Sequence, residues 1–364
     1  MVGTGIRSQR ERLGLPLDRA ADIARLPAER VALIEAGGPL TVQELWALGD
    51  ALAFDPAELL RGEQREDPRR TAGRFRAPTG VRELAAEDAR LLARAAELGR
   101  VGAYLQQQLG LPPGAVVERR HVKAIDPARE SWREGYHLGE KARQRLSPER
   151  APIRSIQTLL EAAGVHVATV QLSGNDLLAA AIYEPGAVPV ILVNGSAPRA
   201  RQPLSRRAIL AHELCHLLHD GGTHDLLTLV SRQENHEPYE QRANGFAPAF
   251  LAPRAWLQAD GDSARERVRN IAQQWGFSRE GATWHAKSCG VISPEEAEAL
   301  VKQGDAPTGY CEWESTPPRL PPSAVGVADA ASPLVEGLVQ DLVVRAFQEG
   351  AISSGRAREL LRFS

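Results

Sequence analysis

The chain has 364 residues, 43% of them hydrophobic and 25% charged, with a formal net charge of -2 and a pI near 6.5. That length suffices for more than one buried core, and the near-neutral balance excludes a protein that coats nucleic acid or acidic membrane by charge alone. Three cysteines without a CxxC pair (Cys215, Cys289 and Cys311) exclude a disulfide framework and a zinc ribbon and fit a reducing cytoplasm.

The opening "MVGTGIRSQRERLGL" has no apolar core of signal-peptide length, and no run approaches the roughly 20 apolar residues of a membrane span. The expectation is therefore a cytoplasmic protein without membrane association. Five short helices are predicted in the first sixty residues. "IRSQRERLG" stops at Gly14, "LDRAADIAR" follows, and "PAERVALIEAG" opens on Pro27 and closes on Gly37 and Gly38. "TVQELWALGDALAF" and "DPAELLRG" begin on the capping residues Thr41 and Asp55. This pattern suits a helix-turn-helix unit over residues 1–64. The charged, Pro- and Gly-containing stretch at 65–82 reads as a linker.

Beyond it, "VRELAAEDARLLARAAELGRVGAYLQQQLG" has the spacing of a long amphipathic helix or a helix pair, and "WREGYHLGEKARQRL" and "IRSIQTLLEAAG" continue as helices. The period then changes. "VHVATVQL", "AAAIYE" and "VPVILVN" are short β-branched runs separated by "SGND" and "PGA", the pattern of a small antiparallel sheet. Helices resume at Ser205–His219, "EPYEQRANGFAPAFLAP", "RERVRNIAQQWG" and "SREGATWHAKSCG". A Pro-rich connection leads to a final helical segment, together residues 316–364.

The motif "AHELCHLLHD" at 211–220 carries the chemistry. On a helix, His212 and His216 project from one face a turn apart, a spacing that clamps one ion. Zinc accepts imidazole nitrogen, and Glu213 beside it is placed to act as a general base. Ser205 is expected to cap the helix and Gly221 and Gly222 to end it. A third ligand is expected from "ENHEPYEQRANGFA", where Glu240 is favoured over His236, with Asn244 one turn on to orient it.

"RRAILAHELCHLLH" followed by "EQRANGFAPAFLAP" resembles the ImmA/IrrE family of bacterial zinc metallopeptidases, whose pattern is an AHELGH helix and then E-x-x-A-N-x-F-A-x-x-L-L-x-P. The similarity extends over roughly residues 130 to 364, through "IRSIQTLLEAAGVHV", "VPVILVN", "WGFSREGATWHAKSCGVI" and "FQEGAISSGRARELL". The first sixty residues resemble the XRE (Cro/repressor-like) helix-turn-helix family, through "LIEAG" and "DPAELL". The resemblance implies Zn²⁺ held by His212, His216 and Glu240, with Glu213 as catalytic base. It also implies a protein substrate, often a helix-turn-helix repressor encoded nearby and cleaved in a DNA-damage, stress or phage-defence response. The fold class expected is α+β: an all-α N-terminal domain, then a mostly helical zincin-like domain over 83–315 with a small antiparallel sheet. Two departures stand out: Cys215 replaces the family's glycine, and Pro248 lies inside the second helix, where a kink beyond Glu240 is expected.

Other residues have two readings each. Cys289 and Cys311 are small buried hydrophobes or thiolates that plug zinc's open position. His285 is an exposed helix histidine or an imidazolium that stabilises an oxyanion. His219 suits a helix C-terminus, and His166 a structural place in a strand. For DNA, the helix-turn-helix offers little beyond Arg25 and Arg30, so duplex binding through it competes with protein docking, and single-stranded DNA is a candidate activator. The alternative to a peptidase is a DNA-binding regulator or antitoxin-like protein that senses or docks a partner without turnover.

Overall fold

The computed structural model describes residues 2–13, 15–52, 54, 56–61, 75–76, 86–118, 120–121, 123–126, 130–174, 177–220, 227–231, 238–258, 260–302, 313–314 and 331–362. Gly14, Asp55, Gly221, Gly222, all but residues 75–76 of the expected linker and most of the Pro-rich connection lie outside them.

The five expected N-terminal helices are present: α1 (Val2–Arg12), α2 (Leu17–Ala24), α3 (Ala28–Glu35), α4 (Val42–Leu52) and α5 (Pro56–Arg61). Ile6, Leu15, Val31, Ile34, Leu48 and Leu52 make their common core. Thr41 caps α4 as its sequence suggests: its hydroxyl accepts from the Glu44 amide at 3.2 Å while the Glu44 carboxylate accepts from the Thr41 amide at 2.7 Å, a reciprocal capping box. The segment "AAEDARLLARAAELGRVGAYLQQQ" is one helix, α6 (Ala86–Gln108). It ties the N-terminal unit down. Ala93 enters that unit's core, Arg94 reaches Asp50 at 2.5 Å and Arg19 reaches Glu87 at 2.6 Å.

A five-stranded sheet forms the centre, with order β1-β5-β3-β4-β2. Its strands are β1 (Phe75–Arg76), β2 (His166–Val170), β3 (Leu177–Ile182), β4 (Val190–Asn194) and β5 (Leu227–Ser231). The sheet is mixed, which corrects the antiparallel expectation. β3 is antiparallel to β4 and β5, whereas β2 lies parallel to β4, from His166 opposite Val190 to Val170 opposite Asn194. The reason is topological: β3 and β4 form a hairpin across "YEPGAVP", and β2 joins the free side of β4 rather than pairing with β3. Side chains alternate between two apolar layers. Val167, Ala179, Ala181, Ile191 and Val193 face one core, and Ala168, Ala180, Ile182, Val190 and Leu192 face the other. Burial on both faces explains why these strands read as continuous apolar runs rather than as an alternation.

The first layer contains α7 (Ala115–Glu118), α8 (Ser131–Leu146), α9 (Ile156–Ala162), α10 (Pro198–Arg201), α11 (Pro203–His219), α12 (Pro238–Leu251), α13 (Ala264–Trp275), α14 (Arg279–Ser288) and α15 (Pro294–Lys302). The second consists of α6 with the C-terminal pair α16 (Leu338–Gln348) and α17 (Ser354–Leu361). His166 is structural. Its Nε2–H donates to the Leu334 carbonyl at 2.8 Å and its Nδ1 accepts from the Val339 amide at 3.3 Å, so it locks α16 to the sheet.

The closest helix pair is α8 with α12, and glycine is the cause. A methyl at Gly135 would collide with the Arg242 carbonyl oxygen, one at Gly139 with that of Phe246, and one at Gly245 with that of Trp132. Backbone contact of this kind leaves no room for a side chain. Gly135→Ala is therefore expected to cost about 3 kcal/mol or more through overpacking. The check is the midpoint of a chemical denaturation curve, with Ala142→Gly on the same helix as a control that adds no volume.

Candidate metal centre

α11 begins with Pro203 in its first turn, not at the expected Ser205 cap; Pro suits that position because its missing N–H would find no intrahelical partner there. Residues 120, 121 and 123 meet the carbonyls of its last turn. The His121 and Lys123 amides donate to the Leu218 and His219 carbonyls, both at 2.9 Å, and Arg120 donates to that of Leu217, which satisfies carbonyls that a helix end leaves open. α12 runs through Pro248 to Leu251. The proline removes one amide donor without ending the helix, and Glu240 lies two turns earlier.

Both helices are fixed by the core, and they bring three side chains together. His212, His216 and Glu240 are all buried, with one ligand atom from each within 4.8 Å of the others. His212 Nε2 is 3.1 Å from Glu240 Oε2 and 3.0 Å from His216 Nε2, while His216 Nε2 is 3.5 Å from Glu240 Oε1. His216 Nδ1–H donates to the Asp220 carboxylate, so in the neutral ring Nε2 is the nitrogen left with a lone pair facing His212 and Glu240. Two imidazole nitrogens and a carboxylate converging in a dry site are a donor set that fits zinc. Glu213 lies beside them, fully buried, with no side-chain partner for its carboxylate, which the Ala181 backbone N–H approaches. Burial pushes its pKa up to about 8. A buried carboxylate without a side-chain partner is costly unless a cation or a reacting group satisfies it.

Two further residues support the site. Asp220 accepts from His216 and, through its other oxygen, from Arg242. Arg242 also donates to the Lys123 carbonyl at 2.7 Å. Burial alone would raise the Asp220 pKa, but the His216 hydrogen bond and the Arg242 charge hold it below the ordinary carboxylate value. Despite burial, the same bond raises His216 to about 9 in the absence of an ion. A carboxylate behind a ligating imidazole fixes its tautomer and raises its basicity. The signal was present in the sequence, with Asp220 four residues after His216 and Arg242 two after Glu240, but the pairing across α11 and α12 is a tertiary contact. Asp220→Asn is expected to weaken zinc binding about 10- to 100-fold, measured by competition with a chromophoric chelator.

The other candidates fall elsewhere. Asn244, expected to orient Glu240, has an exposed side chain, while Glu240 is held by His212. His285 is fully buried, not exposed. Its Nε2–H donates to the Ala252 carbonyl at 2.9 Å, and its Nδ1 lies 3.0 Å from the Tyr136 hydroxyl. Both ring nitrogens are thus taken up within the fold, and burial lowers its pKa to about 4. Cys289 sits with its Sγ 3.8 Å from His285 Nδ1 and is not among the side chains gathered with His212, His216 and Glu240. Burial pushes its thiol up to about 12. Cys215 is buried in the core. Cys311 and His236 lie outside the described residues.

In the N-terminal unit Arg25 is exposed and ends α2 with φ of 55°. Arg30 is committed to a bidentate pair with Glu44 at 2.6 and 2.9 Å and donates to the Pro39 carbonyl at 2.8 Å. The pair holds α3 against the start of α4, and the Arg30 bond draws the Glu44 pKa down to about 2. Residues 1–61 carry nine acidic side chains against seven basic ones.

Residues 160–283 match the peptidase family Peptidase_M78, described as an IrrE N-terminal-like domain. The matched stretch contains β2 to β4, His212, Glu213, His216, Asp220, Glu240 and Arg242. No curated protein matches the chain. No helix among the described residues is long and apolar enough to cross a membrane.

Proposed function

We propose that the chain is a zinc-dependent endopeptidase that cuts a partner protein, with a helix-turn-helix repressor as its substrate, and so acts in regulation. The observation that carries this reading is the convergence of His212, His216 and Glu240 beside the buried carboxylate of Glu213, which no side chain partners. The family match over the same residues supports it. Bound there, zinc supplies Lewis acidity that polarises a scissile carbonyl and acidifies water. Glu213 takes the proton of the attacking water and delivers it to the leaving nitrogen as the C–N bond breaks. A pKa raised toward neutrality suits a group that must both accept and release that proton. Asp220 holds the His216 ring in the tautomer that presents Nε2.

The N-terminal helices are assigned to holding the protein partner rather than duplex DNA. Their acidic balance repels phosphate, and Arg30 is already committed to Glu44. The test is incubation of the zinc-loaded full chain with the helix-turn-helix repressor encoded beside it, with and without single-stranded DNA. Discrete fragments that a chelator prevents are expected. An intact repressor under both conditions contradicts the reading.

A further inference from the structure

Trp313 and Glu314 belong to the stretch that links α15 to α16, and both are seated in a socket formed by the first helix layer. The Glu314 carboxylate accepts from the Ile156 amide at 2.8 Å, the Gln157 amide at 3.3 Å and the Ser155 hydroxyl at 3.5 Å, all at the start of α9. It also pairs with Arg207 of α11 at 3.0 Å, and the Glu314 amide donates to the Arg154 carbonyl at 3.0 Å. The guanidinium groups of Arg154 and Arg207 stack on the Trp313 ring, 4.9 and 4.5 Å from its centroid. Gly276, which ends α13 with φ of 71°, leaves the space for that ring, since a methyl there would come within 2.6 Å of it.

The receiving groups are held in place by contacts of their own. Arg207 is fully buried, and its guanidinium also donates to the carbonyls of Arg154 at 3.1 Å, Trp275 at 3.3 Å and Gly276 at 3.1 Å. Three backbone carbonyls thus aim the cation, and a donor set fixed in advance loses little freedom when a ligand arrives. The start of α9 does not depend on Glu314 either, because the Ser155 hydroxyl caps it by accepting from the Thr158 amide at 3.1 Å. The occupant, by contrast, is strained. Glu314 has φ of 65°, in the left-handed region that a residue other than glycine rarely adopts.

We propose that these groups form a binding site for a polypeptide segment in which an aromatic residue is followed directly by an acid. The chain's own Trp313–Glu314 fills the site, and a segment of the same chemistry on a partner protein takes it by exchange. A main-chain hydrogen bond that adds affinity, together with side-chain subsites that add specificity, makes up a peptide-recognition site. The carboxylate subsite is charge-assisted and the ring subsite is cationic, so neither a basic nor an aliphatic residue satisfies them. Arg207 lies on α11, five residues before His212, so the occupant bears on the helix that carries His212 and His216.

Fluorescence anisotropy of a labelled peptide of residues 312–318, EWESTPP, titrated with the full chain tests this without reference to proteolysis. In the Glu314→Gln variant the in-chain occupant loses its charge, and the peptide is expected to bind with Kd of about 0.1 mM or tighter. The parent chain is expected to bind it about tenfold more weakly, because its own segment competes at an effective concentration in the millimolar range. Peptides carrying Trp313→Ala or Glu314→Gln are expected to bind the variant at least about tenfold more weakly. Arg154 is exposed, and adding Arg154→Ala to the variant is expected to weaken the parent peptide about two- to fivefold. Trp313→Ala in the chain, which keeps the Arg207 pair, serves as a second acceptor for the peptide. Absence of binding below about 1 mM to both variants, or indifference to the altered peptides or to Arg154→Ala, overturns the proposal. Loss of cooperative unfolding in both variants also overturns it, because an exchangeable occupant is dispensable to the fold.

Discussion

Glu213→Gln is expected to lower kcat/KM for cleavage of the partner by about 10²- to 10⁴-fold, the usual contribution of a positioned general base, while zinc stays bound. Glutamine keeps the shape of the side chain but cannot take a proton from water. The substitution is also expected to leave stability nearly unchanged, because the glutamine amide oxygen can keep the acceptor role toward the Ala181 backbone and replacing a desolvated acid by a neutral amide removes the cost of ionising it there. A structural carboxylate would behave in the opposite way, with stability falling and turnover following only as folded protein is lost. Parallel measurement of turnover, zinc content and melting temperature separates the two. Full activity in the glutamine variant contradicts the assignment of Glu213 as base.

The second large effect is expected at His212. Its Nε2 stands between Glu240 at 3.1 Å and His216 at 3.0 Å, so His212→Ala removes the middle donor of three and leaves a set that does not close a tetrahedral zinc site. A ligand that binds only the folded state stabilises it by about 4 kcal/mol when present at 1,000 times its Kd. A zinc-dependent rise in melting temperature is therefore expected in the parent chain and is expected to vanish in the variant. Asp220→Asn, by contrast, is expected to retain a reduced rise, because it weakens a ligand without removing one. A zinc-dependent rise of full size in His212→Ala would mean that the ion binds elsewhere.

The parts of the fold that were legible in the sequence were those carried by local pattern. The five N-terminal helices, the Thr41 cap, the long helix α6 and the spacing of His212 and His216 each follow from residues within a few turns of one another. The third member of the cluster was reachable because Glu240 lies in the first turn of a helix of its own. What escaped depends on contacts between distant segments. The antiparallel expectation missed the parallel pairing of β2 with β4 because β2 to β4 are buried on both faces, and continuous apolar runs do not reveal who pairs with whom. The Gly135, Gly139 and Gly245 contact was missed because small residues show their use only when a second backbone lies against them. For His285 and Cys289 the sequence left a packing and a chemical reading side by side, because burial, which the structure shows for both, is not written in the local pattern. Arg30 looked available for phosphate until Glu44, fourteen residues away, proved to hold it.

Zinc K-edge X-ray absorption on the full chain loaded with one equivalent of zinc tests the central claim most directly. The account predicts a four-coordinate shell of nitrogen and oxygen, with two imidazoles at about 2.0–2.1 Å and a carboxylate oxygen at about 2.0–2.2 Å. A sulfur scatterer at about 2.3 Å, or a spectrum of hydrated zinc that His212→Ala leaves unchanged, would contradict it.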